Sequence, residues 1–549
     1  MDAIERARWA FAQGEWQDAF SRFTALAEST SLEVADHERL AVCAYLVGED
    51  KECAAAWEAA QRAALEDGDR AGSARCAFWL AMCLMVQGQM AQAGGWLTRA
   101  QRLIELAKLD CAASGYLLIP RLLSALDGGD PTTALDLAVE ATALGNRFDD
   151  ADLCAFGTLG HGQALIAMGD TTGGKARLDE VMVSVTAREV GPITSGIVYC
   201  AVILECMQVF DVQRASEWTN ALSAWCDAQP DLVPYRGQCL VHRSQLLQAA
   251  GDWPDAITTA QAACQRLIDP PHPALGLAYY QEAELHRLVG AFEEAETEYR
   301  QASRNGYQPM PGLALFELAR GDARAAAASV QRALNEVRNP RDRPALLAAA
   351  VDILRTTGDL RGARSASEDL AAIAAPSSSE VLGAMAAQAT GTVLVAEGDP
   401  ASALIELRAA ATTWQSLHMP YEAARVGVMR GLACAALGDQ TSADLELEIA
   451  RDIFTELGAL PDLGRLATLS SGLVESAIPR PEVVGSGKLS TREREVLAHV
   501  AAGETNREIA TRLFISEHTV GRHLENIFTK LGVTSRAAAT AYAYRHHLV

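Results

Sequence analysis

Five side chains near the end of this 549-residue chain have the types and the spacing of a nucleic-acid contact. They fall at positions i, i+3, i+4, i+7 and i+11, which places them on one stripe of a helix. Hydroxyl, amide, imidazole and cationic groups can donate hydrogen bonds to phosphate oxygens and base edges, so this stripe is suited to contact with DNA. The helix pattern taken alone is more typical of a small three-helix unit with a solvated charged face. The stripe consists of Thr519, Arg522, His523, Asn526 and Lys530.

The same helix carries an apolar stripe that must face a core. Ser516 is a predicted N-cap for this helix, and Gly532 is predicted to end it. Two shorter helices precede it, and each begins with a Ser/Thr-x-x-Glu capping box. A supporting helix followed by one that presents donors is the arrangement a helix-turn-helix uses in the major groove. The apolar stripe consists of Val520, Leu524, Ile527, Phe528 and Leu531.

The last sixty or so residues resemble the LuxR-type DNA-binding domain of bacterial transcriptional regulators. The matching residues cover nearly all of that domain and a small part of the whole chain. They are Leu489, Ser490, Arg492, Glu493, Glu495, Val496, Leu497, Ala502, Gly503, Asn506, Glu508, Ile509, Ala510, Leu513, Ile515, Ser516, Thr519, Val520, His523, Asn526, Ile527, Lys530, Leu531, Gly532, Val533, Ser535 and Arg536.

The resemblance implies which residues contact double-stranded DNA. Thr519, His523, Asn526 and Lys530 would contact the backbone or the bases, and Arg522 lies where the family often contacts bases. The full set that the resemblance assigns to DNA binding is Thr505, Asn506, Arg507, Ser516, Thr519, Val520, Gly521, Arg522, His523, Asn526 and Lys530.

Two positions depart from the family pattern. Gly521 replaces the usual lysine, and Glu525 occupies a position that is often basic or polar. Losing a cation and adding an anion weakens the case for the family's standard sequence specificity. Arg522 must then carry more of the base recognition, through a bidentate contact to guanine.

The charge of the chain is divided unevenly. The whole chain has a net charge of −23, but residues 488–549 carry nine Lys/Arg against six Glu, a net charge of +3. The preceding residues therefore carry −26, so attraction to phosphates must come from the C-terminal segment.

The first 475 residues repeat one pattern, in which a glycine is followed five residues later by a small residue. A glycine can take the left-handed conformation that ends a helix, and the small residue lets two antiparallel helices approach closely. Twelve copies, mostly 37 to 41 residues apart, predict a helical solenoid. The glycine position is occupied by Gly14, Gly48, Gly88, Gly129, Gly169, Phe210, Gly251, Gly290, Gly321, Gly358, Gly398 and Gly438.

The repeats resemble tetratricopeptide repeats of a longer, divergent kind. The segment from Leu288 to Tyr299 matches that family's Leu-Gly-x-Tyr…Ala…Tyr spacing, although the period exceeds 34 residues. The resemblance implies a concave groove that binds a protein, a peptide or a small molecule. Large regulators with a LuxR-type C-terminus often resemble a three-part plan with an N-terminal ATPase. Here the first repeat begins around Ala3, so no ATPase is expected.

Motifs for other chemistry are incomplete. The stretch from Gly169 to Ala176 nearly matches a phosphate-binding loop, but Ala176 replaces the Ser/Thr that holds magnesium, and the stretch falls at an inter-helix turn. His37 and Glu38 begin a zinc-protease motif, but Ala41 stands where the second histidine is needed. We therefore predict no enzyme activity, no cofactor and no metal site, and we expect the twelve cysteines to be buried reduced thiols.

These observations predict an all-α chain in three parts: a tetratricopeptide-like solenoid over 1–475, a linker over 476–487, and a LuxR-type helix-turn-helix domain over 488–549. With no apolar run of membrane-spanning length and no signal peptide, the sequence predicts a cytoplasmic protein. The leading hypothesis is a transcriptional regulator whose repeat body senses an effector. The alternative is a protein-docking adaptor with secondary DNA binding.

A homodimer on DNA is also expected, because the contacts of one domain are few for specific affinity. The predicted final helix, over 536–547, has a small-residue face of Ala537, Ala538 and Ala541 through which two copies would meet. An inverted repeat in the DNA site follows from this hypothesis.

Overall fold

The computed structural model describes residues 2–229, 231–269, 272–337, 339–476, 489–502, 504–513, 516–531, 533 and 535–545. Within these ranges every regular element is a helix, which confirms the all-α prediction. None of the described helices is long and apolar enough to cross a bilayer.

Helices of the first half form successive antiparallel hairpins. They are α1 (Ala3–Gln13), α2 (Trp16–Ser29), α3 (Val34–Leu46), α4 (Asp50–Glu66), α5 (Arg70–Val86), α6 (Met90–Ala107), α7 (Ala113–Tyr116), α8 (Leu118–Asp127), α9 (Pro131–Phe148), α10 (Ala151–Ala167), α11 (Thr171–Thr186), α12 (Pro192–Gln208) and α13 (Val212–Asp227).

The second half continues the array, with a short 3-10 turn at Pro340–Asp342, and ends in four separate helices. They are α14 (Pro234–Ala250), α15 (Trp253–Ile268), α16 (Leu275–Val289), α17 (Phe292–Arg304), α18 (Gly312–Ala319), α19 (Ala323–Glu336), α20 (Arg343–Thr357), α21 (Leu360–Ala374), α22 (Glu380–Glu397), α23 (Pro400–Ser416), α24 (Pro420–Ala436), α25 (Gln440–Leu457), α26 (Leu460–Ser476), α27 (Thr491–Ala501), α28 (Asn506–Leu513), α29 (Glu517–Leu531) and α30 (Arg536–Arg545).

All twelve predicted repeat turns are present. Each of the eleven glycines has a positive φ, and Phe210, which replaces glycine in the degenerate copy, also has a φ of 59°. The small residue five positions later is buried in every copy. The aspartate that often follows the turn caps the next helix, as when Asp439 accepts a hydrogen bond from the Ser442 amide at 3.0 Å.

Distant repeats also contact one another, which the sequence did not predict. The amide of Val233 donates to the Leu46 carbonyl at 2.8 Å, and the Ser379 hydroxyl donates to the Phe210 carbonyl at 3.0 Å. Trp253 packs edge-on against Tyr421, with ring centroids 5.3 Å apart. The array therefore coils until successive superhelical turns touch, so a repeat is stabilised by distant repeats as well as by its neighbours in the chain.

The four C-terminal helices enclose a core of their own. Val496, Leu497, Ile509, Val520 and Ile527 are each fully buried, so α27, α28 and α29 meet around one apolar centre. Helix α30 closes this core against α27. The predicted linker, apart from Ser476, and the last four residues lie outside the described residues.

Candidate nucleic-acid interface

Each helix of the candidate interface begins at a predicted cap. The Ser490–Glu493 capping box is formed, with both reciprocal hydrogen bonds present. At α28 the Thr505 amide donates to Glu508 at 2.7 Å, and the Glu508 amide donates back to the Thr505 hydroxyl at 3.4 Å. At α29 the Thr519 amide donates to the Ser516 hydroxyl at 3.1 Å.

Helix α29 presents the polar stripe at the surface. Arg522, Asn526 and Lys530 are exposed, while Thr519 and His523 are half-buried beside them. Arg522 makes no hydrogen bond or ion pair with any side chain that the structure describes. Of the residues predicted on or near α28, Thr505, Arg507 and Ser516 are exposed and Asn506 is half-buried.

Val520 requires a correction. Its side chain is fully buried between α29 and the other helices, so it is part of the core rather than of the surface. The position belongs to the apolar stripe, and burial of its methyl groups holds α29 in place. A side-chain contact between Val520 and DNA is therefore excluded in this conformation.

Lys530 already has a partner in the protein. Its Nζ atom lies 2.8 Å from both carboxylate oxygens of Glu493, whose own side chain is almost completely buried. The hydrogen bond from Lys530 and the one from the Ser490 amide keep the pKa of Glu493 below its usual value. Lys530 thus joins the end of α29 to the start of α27, and part of its side chain remains exposed on the polar stripe.

Two arginines that sequence reasoning left without a role support the interface. Arg536 donates to the Asn506 side chain at 2.7 Å and to the Glu504 carbonyl, which fixes the start of α28. Arg492 donates to the Leu513 carbonyl at the end of the same helix. Both residues belong to the set that matches the LuxR pattern, and that match is the sequence feature that could have identified them.

Gly521 lies within α29 and has open space around it. A Cβ atom placed there would meet no atom within 4 Å, so the glycine is not required by packing. The Glu525 side chain lies outside the described residues.

The face proposed for dimer contact also requires a correction. Ala538 is 1 % exposed and packs inside the domain's own core, so it cannot meet a second copy. Ala541 is half-buried, and the Ala537 side chain lies outside the described residues.

The phosphate-loop-like stretch is an inter-helix turn, as predicted. Gly169 has a φ of +95°, and Asp170 caps α11 by accepting from the Gly173 amide at 2.9 Å. Lys175, the would-be phosphate ligand, is 3.0 Å from Asp211 and so is already paired. In the described part of the chain, no three metal-binding side chains are grouped.

Comparison with known proteins finds a matching family and several similar regulators. The family of bacterial regulatory proteins called the luxR family (GerE) matches residues 487–543. The chain is 44 % identical over 75 residues to the transcriptional regulatory protein LiaR of Bacillus subtilis, covering 14 % of this chain and 33 % of LiaR. It is 34 % identical over 144 residues to the transcriptional regulatory protein MctR of Rhizobium johnstonii, covering 26 % of this chain and 63 % of MctR. The chain thus spans less than two thirds of either relative.

Among solved structures, a chain of the Cut9–Hcn1 complex is 13 % identical with a TM-score of 0.37, covering 84 % of this chain and 95 % of that one.

The family match coincides with the four helices that enclose a separate core and present the polar stripe. Residues 487–543 are therefore a LuxR-type helix-turn-helix domain.

Proposed function

We propose that this protein is a sequence-specific transcriptional regulator that binds double-stranded DNA through α29. The observation that carries the proposal is the exposed stripe of Arg522, Asn526 and Lys530 on the second helix of a LuxR-type helix-turn-helix. Phosphate contacts from Thr505, Arg507 and Ser516 would fix the position of the domain on the duplex. Such a regulator would act in the bacterial cytoplasm.

In this proposal the helical-repeat body governs the DNA-binding domain in response to an effector. The charge division supports it, because a body of −26 disfavours approach to DNA unless something holds it away or neutralises it. An effector shifts the balance between the DNA-free state and the DNA-binding state only if it binds one of them more tightly than the other. The protein would act as a homodimer on DNA.

The test begins with the DNA fragments that the purified protein retains from the genome of its own species. A shared motif bound much more tightly than random DNA supports the regulator. Stable co-purification of a protein partner with no sequence preference supports the second candidate, a docking adaptor built on the repeats.

Two substitutions then separate base contact from phosphate contact. We expect Arg522→Ala to weaken binding to the selected site by about 1–3 kcal/mol and to relax the preference at one base pair. We expect Lys530→Ala to weaken binding to all sequences alike and to flatten the salt dependence. An Arg522→Ala protein that keeps the full sequence preference would remove the assignment of base recognition to Arg522.

A further inference from the structure

The first half of the repeat body curls around a cavity of about 360 Å³. Most of its lining comes from α1, α3, α5, α7, α10 and α12, the first helices of six successive hairpins, and α4 adds one side chain. The volume falls in the range typical of sites for small organic molecules.

One wall of this cavity is aromatic. Trp57 and Trp79 stack on each other with centroids 6.1 Å apart, and Tyr116 packs beside Trp79 at 6.1 Å. All three side chains are almost completely buried and line the cavity. This wall suits a flat apolar group, since aromatic faces bury large area with little loss of side-chain freedom.

The cations that line the cavity are already engaged. Arg75 lies 2.7 Å from Glu38, and Arg39 lies 2.6 Å from Asp36. A ligand carboxylate would have to displace one of these carboxylates, so the cavity does not favour an anion.

Two aspartates, Asp150 and Asp152, also line the cavity. Asp150 accepts hydrogen bonds from the Tyr116 hydroxyl at 2.7 Å and from the Leu153 amide at 3.0 Å, and Asp152 accepts from the Gly191 amide at 2.7 Å. Neither carboxylate forms an ion pair with a described residue. Burial raises the pKa of Asp152 above its usual value, although the hydrogen bond from the Gly191 amide and the nearby positive charge of Arg75 act in the opposite direction.

We propose that this cavity binds a small aromatic amine, with its ammonium group against Asp150 and Asp152 and its ring against the wall of Trp57, Trp79 and Tyr116. The inference rests on the proposed function only in treating the ligand as the effector. Binding itself is a property of the repeat body. The ammonium would form the ion pair that neither aspartate makes with a described residue, and it would donate to carboxylate oxygens in a partly desolvated site.

The test uses tryptamine as the probe, with the full chain titrated by calorimetry. Neutral 3-ethylindole and anionic indole-3-propionate have nearly the same shape and serve as comparisons. We expect saturable binding of tryptamine, at least about tenfold tighter than of either comparison, as for a charged hydrogen bond. Equal binding of the neutral compound, tighter binding of the acid, or no binding of the amine would overturn the proposal.

Asparagine substitutions keep the local structure while removing the charge. Asp150→Asn preserves the cap of α10, and Asp152→Asn preserves an acceptor for Gly191. Each should raise the Kd for tryptamine by about tenfold or more. Asp170→Asn changes an equivalent cap outside the cavity, so it should leave that Kd unchanged and provide the reference for thermal stability. An unchanged Kd for tryptamine in both cavity variants would show that the amine binds elsewhere and would contradict the assignment.

Measuring which DNA the chain retains in the absence of tryptamine distinguishes a failure of this inference from a failure of the proposed function. A chain that retains its DNA site but binds no amine contradicts only the cavity assignment. A chain that binds the amine through Asp150 and Asp152 but selects no DNA contradicts only the regulator. If both hold, tryptamine should change the Kd for DNA in the native chain and not in Asp152→Asn.

Discussion

At the scale of single residues, α29 shows how one helix divides its positions between the core and the surface. Val520 and Ile527 are fully buried, whereas Arg522 and Asn526 are exposed within the same two turns. Lys530 belongs to both groups, because its ammonium group holds Glu493 while part of its side chain remains exposed. A residue assigned to DNA by family resemblance can therefore also stabilise the free domain.

Gly521→Lys tests whether the departure from the family pattern limits DNA affinity. The open space around Gly521 accommodates a side chain, and replacing a helical glycine should stabilise the domain by up to about 1 kcal/mol. The added cation should strengthen binding to all sequences and steepen the salt dependence by about one phosphate contact. The measurement is DNA affinity at several salt concentrations, combined with thermal unfolding.

Gly383→Lys is the matched control for this substitution. Gly383 also lies within a helix, α22, and a Cβ atom added to it would meet no atom within 4 Å. It should change the net charge of the chain equally without steepening the salt dependence. Equal DNA effects from the two variants would mean that net charge, rather than a contact from position 521, is responsible.

At the scale of elements, the α16–α17 hairpin contains two carboxylates placed close together. Burial, followed by the nearby charge of Glu282, raises the pKa of Glu298 to about 7. Oε2 of Glu298 has no hydrogen-bond partner among the described residues. Below about pH 7 the folded chain should therefore keep a proton on Glu298 that the unfolded chain releases near pH 4.5.

Glu298 should make the stability of the chain fall as the pH rises. The folded state binds more protons than the unfolded state between about pH 4.5 and 7, so the free energy of unfolding decreases across that window and levels off above it. Glu298→Gln should remove this contribution and unfold at a higher temperature than the native chain at pH 8. Unfolding midpoints from pH 5 to 8 provide the measurement.

Glu294→Gln, on the exposed side of the same helix, is the control for that comparison. It should leave the pH dependence unaltered. If the unfolding midpoint of Glu298→Gln changes with pH as that of the native chain does, the pKa of Glu298 is not raised in the folded chain.

At the scale of the whole molecule, contacts between superhelical turns join repeats that are far apart in the sequence. Arg341 lies 2.8 Å from Glu205, and Gly251 lies against Pro420 and Leu457. Contacts of this kind should make unfolding more cooperative than in an array stabilised only by neighbouring repeats.

Comparing Gly251→Ala with Gly438→Ala separates the effect of the contact between superhelical turns from the backbone strain at the short turn that joins two helices. Both glycines have positive φ, so each alanine should cost about 1–2 kcal/mol of backbone strain. At position 251 the new Cβ atom would also lie 2.7 Å from Pro420, which should add about 1–3 kcal/mol, whereas position 438 has open space. Urea unfolding measures the loss of stability in both variants. Equal losses would show that the superhelical turns do not contact each other at Gly251 in solution.

The charge division leads to a prediction for the DNA-binding segment alone. At low salt, a fragment starting near Gly485 should bind the DNA site at least as tightly per domain as the whole chain, once dimer concentration is matched. The difference should shrink as salt rises, because screening weakens repulsion from the acidic body. Titration of both proteins on one duplex decides this. A fragment that stays much weaker even when artificially dimerised would exclude an inhibitory body.

The sequence by itself determined the local structure of this protein. Helix periodicity, the glycine of each turn and the small residue five positions later depend on contacts within one or two hairpins, so twelve turns could be located without coordinates. The capping boxes at Ser490 and Thr505 are equally local. The LuxR-type pattern located the donors of α29 for the same reason.

Only the tertiary structure decided what depends on distance in space. The pairing of Lys530 with Glu493 joins residues 37 apart, and the contact of Phe210 with Ser379 joins residues 169 apart. The cavity beside Asp150 and Asp152 draws on six hairpins, none of which carries a binding motif of its own. Small rotations between successive hairpins add up to the curvature that brings these groups together, and no single repeat encodes that sum.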